Sequence, residues 1–238
     1  MAVASATTIL VFLYTLPFCI IALHSLKKYL SDKQSSEKKH VFYAFLCFSA
    51  AFISSSIASV LVLPDMSPER LMIVKIFFKL FDIINMIGVF WLFVFLADFT
   101  KNMKKYIPFV AVHLAITLIV IIVMPFGINI IEGAEYVRDR AEVTSLAILF
   151  FWFLYWGIIA YQFWKHSKLM KKKVSMRRSQ TMSIGGVFAV LAYICAVLSN
   201  IAFSIILVYV AAFCGVTAGI VFYAGFIAPE CFRRRWEK

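Results

Sequence analysis

Long apolar runs broken by short basic clusters set the pattern of this chain. A run of about 20 apolar residues is enough to cross roughly 30 Å of hydrocarbon as a helix. Seven runs qualify, at about 4–26, 41–63, 71–97, 107–124, 143–163, 179–198 and 205–228. The stretch 181–228 is apolar for about fifty residues and must fold back once. Ser199, Asn200 and Ser204 are the polar residues that mark the turn. Backbone groups in lipid need internal partners, which favours helices. A membrane barrel would show short alternating segments, and the pattern shows none. The predicted fold class is all-α: an integral membrane bundle of seven transmembrane helices forming one domain.

The basic clusters orient the bundle. Nineteen of the 24 Lys and Arg residues fall in 27–39, 101–105, 165–178 and 233–238, which all lie on one side. The opposite connections hold Arg70, Arg138 and Arg140, together with Asp65, Glu69, Glu132, Glu135, Asp139 and Glu142. Lys- and Arg-rich short loops stay in the cytoplasm, so the N-terminus is expected outside and the C-terminus inside. The first run carries its charges after its apolar stretch, so a retained helix is expected rather than a cleaved signal.

Composition sharpens this. The chain is 63% hydrophobic and 15% charged, against about 45–50% and 25% in soluble domains. A net charge of +12 would suggest nucleic acid in a soluble protein. Its distribution makes it an orientation signal instead, and nucleic acid drops out as a partner. The expected partner is a bilayer with an anionic inner leaflet. Four of the five cysteines (Cys19, Cys47, Cys195, Cys214) lie in spans and Cys231 lies just inside, so an extracellular disulfide is not expected.

Charge inside a span is costly, about 2.5–3.5 kcal/mol at the helix centre on insertion scales. Only the third span carries it, as Lys75, Lys79 and Asp82, followed by Asn85. Spacings of three and four residues put them roughly on one helical face. At about 1.5 Å per residue the stripe runs from the outer surface to mid-membrane. One reading is structural: Lys79 pairs with Asp82, and Lys75 snorkels outward. The functional reading is a pocket open to the outside, in which Lys75 and Lys79 bind a ligand's acidic group and Asp82 and Asn85 orient them. An ion or proton path is a third reading. In the fifth span Trp152 and Trp156, four residues apart, either face lipid or wall an apolar pocket. His113 reads as a packing residue. Gly185, Gly186 and the Gly215-x-x-x-Gly219 pair predict close approach of the last two helices or a homodimer seam.

No dinucleotide, phosphate-loop, metal-protease or serine-hydrolase motif is present. No cofactor, metal or enzymatic activity is expected. The marks of G-protein-coupled receptors, rhodopsins and SWEET-type sugar transporters are missing from the sequence.

Residues 222–236 read Phe-Tyr-Ala-Gly-Phe-Ile-Ala-Pro-Glu-Cys-Phe-Arg-Arg-Arg-Trp. This segment resembles the close of seven-helix sensor modules in bacterial and archaeal signalling proteins. Their last helix ends Gly-Phe-x-x-Pro and runs into an Arg-rich, Trp-containing segment. The resemblance implies a receptor-like sensor that signals to a separate or removed cytoplasmic partner. On that reading Pro229, Arg233, Arg234, Arg235 and Trp236, within the basic tail 229–238, form the membrane exit and coupling segment. The residues alone give the same exit physics: Pro229 ends the helix, and the arginines hold the anionic leaflet at about 1 kcal/mol each. A small transporter or channel of 3+1+3 plan and a membrane scaffold remain the alternatives.

Overall fold

The computed structural model describes residues 6–130 and 135–237. Seven long helices follow one another: α1 (Ala6–Ser31), α2 (Ser36–Leu61), α3 (Pro68–Phe99), α4 (Ile107–Val123), α5 (Glu142–Ser167), α6 (Lys173–Ala202) and α7 (Ile205–Ile227). A short 3-10 helix, Lys101–Tyr106, leads into α4, and α8 (Glu230–Glu237) follows α7. Seven helical segments are long and apolar enough to cross a membrane, the fourth being Asn102–Val123, which joins most of the 3-10 turn to α4; this supports a multi-pass membrane protein.

Local chemistry explains several boundaries. The Ser35 hydroxyl accepts from the Lys38 backbone N–H at the start of α2. Ser67 does the same for Arg70 at α3, where Pro68 occupies the first turn. Between α6 and α7 the chain reverses at Phe203 and Ser204. Phe203 has φ 48°, the left-handed conformation that glycine would adopt without a Cβ clash. Its ring is exposed on the bundle surface, so little packing depends on it. Phe203→Gly is therefore expected to raise stability by up to about 1 kcal/mol, read as a higher Tm in detergent.

Neighbouring helices pack around a ring, with α7 closing against α1, and α3 also reaching α5. The core is aromatic: Phe18, Phe45, Phe48, Trp152, Trp156 and Phe222 are all buried. α4 sits at the periphery, with Val110, Leu114, Thr117 and Ile121 turned inward. Its other face presents Phe109, Val112, Ile116, Ile119 and Val123, between 57% and 72% exposed. A helical apolar stripe of this size suits lipid rather than water.

Glycine spacing works differently from the sequence expectation. Gly185 does face α7, where an added Cβ would meet the Phe222 ring at 2.9 Å. The Gly215 and Gly219 pair instead faces α1, with Tyr14 beside one and Phe18 and Pro17 beside the other. That pair is thus occupied within the bundle by α1 and is not the surface of a homodimer seam.

The connection from α4 to α5 also departs from the helical reading. It forms an antiparallel hairpin, β1 (Phe126–Ile130) and β2 (Tyr136–Arg140), with Phe126 opposite Arg140 and Ile128 opposite Arg138. Alternation, missed in so short a segment, puts Phe126, Ile128 and Ile130 on one face, and Tyr136, Arg138 and Arg140 likewise. Phe126 and Tyr136 pack on Ala58, Val62, Val74 and Phe78, which seats the hairpin across the ends of α2 and α3.

Candidate functional site

The four polar residues of α3 do not converge. Lys79 Nζ donates to the Ile122 and Met124 carbonyls, both at 3.0 Å, and so satisfies the end of α4. Lys75 is half-buried and has no ion pair or hydrogen bond among the described residues. Asp82 and Asn85 point elsewhere, so the expected Lys79–Asp82 pair is absent. The expected orienting of Lys75 and Lys79 by Asp82 and Asn85 is absent too. The reason is competition from other elements: Lys79 and Asp82 stand only about 60° apart around the helix, but Lys79 is drawn to the Ile122 and Met124 carbonyls and Asp82 to Arg140.

Asp82 is taken by the hairpin. Arg140 Nε and Nη2 donate to its two carboxylate oxygens at 3.0 and 2.8 Å, a bidentate pair. The two side chains are 3% and 1% exposed. Arg138 Nη1 lies 3.9 Å from the same carboxylate. Its guanidinium stacks over Phe78 at 4.3 Å and Phe81 at 4.7 Å, and Nη2 donates to Ser55 Oγ at 3.0 Å. Oriented to satisfy both neighbours, the Asn200 amide accepts from Arg140 Nη1 and donates to the Arg138 carbonyl, each at 2.7 Å. Tyr136 Oη and Ser59 Oγ are 2.6 Å apart. Glu135 accepts from the Ala6 backbone N–H at 2.8 Å and from the Thr7 hydroxyl. One five-residue strand and its leading glutamate therefore tie α1, α2, α3 and α6 together.

Burial pulls the Arg140 guanidinium below its ordinary value, and the Asp82 carboxylate opposes that. Arginine nonetheless stays charged. Burial pushes the Tyr136 phenol up, which keeps it neutral and able to donate.

Beneath the hairpin lies a cavity of about 140 Å³. Tyr136, Arg138 and Arg140 line it at the hairpin end, with Ser199 and Asn200 beside them. Its other walls are apolar: Phe18, Phe48, Trp152, Trp156 and Phe222 among the rings, and Ala192, Ala196 and Ala212 among the small residues. On α1 it runs from Thr7 to Phe18, about 16 Å along the helix axis. It is an elongated, mostly apolar space with two guanidinium groups at one end.

Trp152 and Trp156 belong to this space. Both are 2% exposed, so they face the bundle interior and not lipid. Trp152 stacks on Tyr193 with ring centroids 3.5 Å apart. Among the described residues its buried indole nitrogen has no hydrogen-bond acceptor, and the buried Asn85 Oδ1 has no donor. Asn85 Nδ2 donates to Tyr193 Oη at 2.6 Å. His113 Nδ1 lies 2.9 Å from Tyr155 Oη, its ring among Phe150 and Phe151, a packing position.

At the other end, Ala228 adopts φ 50° and Pro229 immediately precedes α8. Arg233 Nε donates to the Ala228 carbonyl at 2.7 Å, and Arg234 pairs with Glu230 on the exposed face. Trp236 packs near Phe232, ring centroids 5.7 Å apart, and Arg235 is exposed.

The residues that sequence reasoning passed over are Tyr136, Arg138 and Arg140, counted there only as loop residues. Their alternation with Val137 and Asp139 was the available signal. No protein-family model matches the chain, and no curated protein matches it in sequence.

Proposed function

We propose that this protein is a receptor-like membrane sensor, N-terminus outside and C-terminus cytoplasmic, that takes a small amphipathic anion into the cavity beneath the hairpin. One observation carries the reading: an elongated apolar cavity ends at two guanidinium groups that share a single carboxylate. Arg140 is held bidentate by Asp82, so Arg138 is the group with capacity for a ligand's acidic end. An apolar tail would then run between α1, α6 and α7 toward Trp156 and Phe222. Trp152, which lines the cavity, offers its buried Nε1 as a donor for a polar atom on the ligand. The orientation rests on the nineteen-to-three division of basic residues between the two ends.

The rings packed around the deep end of the cavity favour a binding pocket over a transport passage. Ligand entry would change the packing of the hairpin and of α6 and α7, and the exit helix α8 is the element that would carry that change to a cytoplasmic signalling partner. The resemblance of residues 222–236 to sensor modules agrees with this role.

The test uses the full chain in nanodiscs, with saturated fatty acids and the fatty alcohols of equal length as probes. The acids are expected to raise Tm by about 5 °C or more at concentrations well above Kd, and the alcohols far less. Arg138→Gln should remove the difference between acid and alcohol. Ala196→Phe, which fills the cavity from α6, should abolish the response while keeping the folded state. Equal responses to acid and alcohol, or an unchanged response in Ala196→Phe, would sink the reading.

A further inference from the structure

The end of the bundle opposite the hairpin holds a second convergence of charge. Gly215 lies beside Tyr14 and Gly219 beside Phe18, a register that brings His24 and Lys28 of α1 level with the end of α7, where Arg178 of α6 and Arg233 of α8 are bound. Arg178 is fixed by donating from Nε to the Gly225 carbonyl at 3.0 Å and from Nη2 to the Phe226 carbonyl at 2.9 Å. Arg233 is fixed by its bond to Ala228. Among the described residues, Nη1 of Arg178 and both terminal nitrogens of Arg233 have no hydrogen-bond acceptor. At the same level His24 Nε2 is buried, with no hydrogen-bond partner among the described residues.

Among the described residues no carboxylate forms an ion pair with the group. Asp32 is held by Lys38 at 2.9 Å, and Glu230 is held by Arg234. Like charges placed together around a buried, unsatisfied nitrogen are unfavourable unless something compensates. An anion with several acceptor oxygens would accept from both guanidinium groups, from Lys28 and from His24 at once. The location adds to this. The cluster sits where α1, α6 and α7 leave their apolar spans, the level at which basic pockets between helices meet lipid headgroups.

We infer that Lys28, Arg178 and Arg233, together with His24, form a binding site for a phosphate-bearing anion at the junction of α1, α6 and α8. The phosphate comes either from an anionic phospholipid headgroup or from solution. The site is independent of the cavity beneath the hairpin and of any ligand bound there. Because Arg178 and Arg233 also satisfy the last carbonyls of α7, occupancy would stiffen the start of the exit helix.

The experiment places the full chain in three settings: phosphatidylcholine nanodiscs, the same discs with phosphatidylglycerol, and phosphatidylcholine discs with inorganic phosphate at matched ionic strength. Phosphatidylglycerol or phosphate is expected to raise Tm by about 5 °C or more, and the arm that does so identifies the source. Lys28→Gln, which removes no hydrogen bond of the fold, should abolish most of that gain. Lys171→Gln removes the same charge from the exposed α5–α6 connection and should retain the gain. The inference is overturned if neither arm stabilises the protein. It is equally overturned if Lys171→Gln and Lys28→Gln lose the same amount, which would mean general attraction to an anionic surface.

Discussion

Asp82→Ala is expected to destabilise the protein by about 3–5 kcal/mol, the cost of leaving a buried charge without its partner. Arg140 cannot escape by losing its proton, and its side chain is only 3% exposed. Nor can it move easily, because Asn200 holds Nη1 and the strand backbone holds the Cα. Arg138, 3.9 Å from the same carboxylate, would be stranded as well. The hairpin should therefore detach from α3, and with it the contacts that join α1, α2 and α6. A charge argument predicts a rescue that a packing argument does not. Asp82→Leu combined with Arg140→Met removes both charges and keeps the volume, so it should regain most of the loss. Thermal unfolding in detergent of the wild type, both single variants and the double variant completes the cycle. A single-variant cost under about 1 kcal/mol, or a double variant that only sums the singles, would mean that the pair does not hold the hairpin.

That pair also shows where sequence reading reached its limit. The helices were legible because a membrane span demands a long apolar run, and a run is a local property. The reversal near Asn200 was legible because three polar residues interrupt fifty apolar ones. It occurs at Phe203 and Ser204. The partner of Asp82 was not legible. Periodicity on α3 names the face a side chain lies on, whereas Arg140 stands 58 positions further along, in another element. Lys79 and Lys75 looked like its partners because they were near in sequence. Lys79 instead satisfies carbonyls at the end of α4, which no pattern on α3 could announce. The hairpin itself spans only five residues per strand, too few for alternation to stand out between two long apolar helices. Trp152 and Trp156 were half legible. Their spacing put them on one face of α5, but which face met lipid depended on α2, α6 and α7.

Trp156→Ala should be nearly as costly as the loss of Asp82, about 3–5 kcal/mol, and the reason is different. Trp156 is stacked on Phe48 with ring centroids 5.6 Å apart and lies 5.5 Å from Phe222. Between helices in lipid, attraction comes largely from close packing, since lipid tails are as apolar as the side chains. Truncating the indole forfeits those contacts, and the space joins the existing cavity of about 140 Å³. The surrounding rings cannot close it without moving three helices. Phe153, the next turn's neighbour on α5, is the control: it is 57% exposed, against 2% for Trp156. Phe153→Ala removes a similar amount of apolar surface from contact with lipid and should change stability by less than about 0.5 kcal/mol. Equal losses at the two positions would mean that α5 is rotated from its assigned face. A large loss confined to Trp156 would locate the packed centre of the bundle at the wall of the cavity. There a ligand's apolar tail would replace part of the contact that the alanine variant lacks, so that variant should gain more from a long-chain acid than the wild type does.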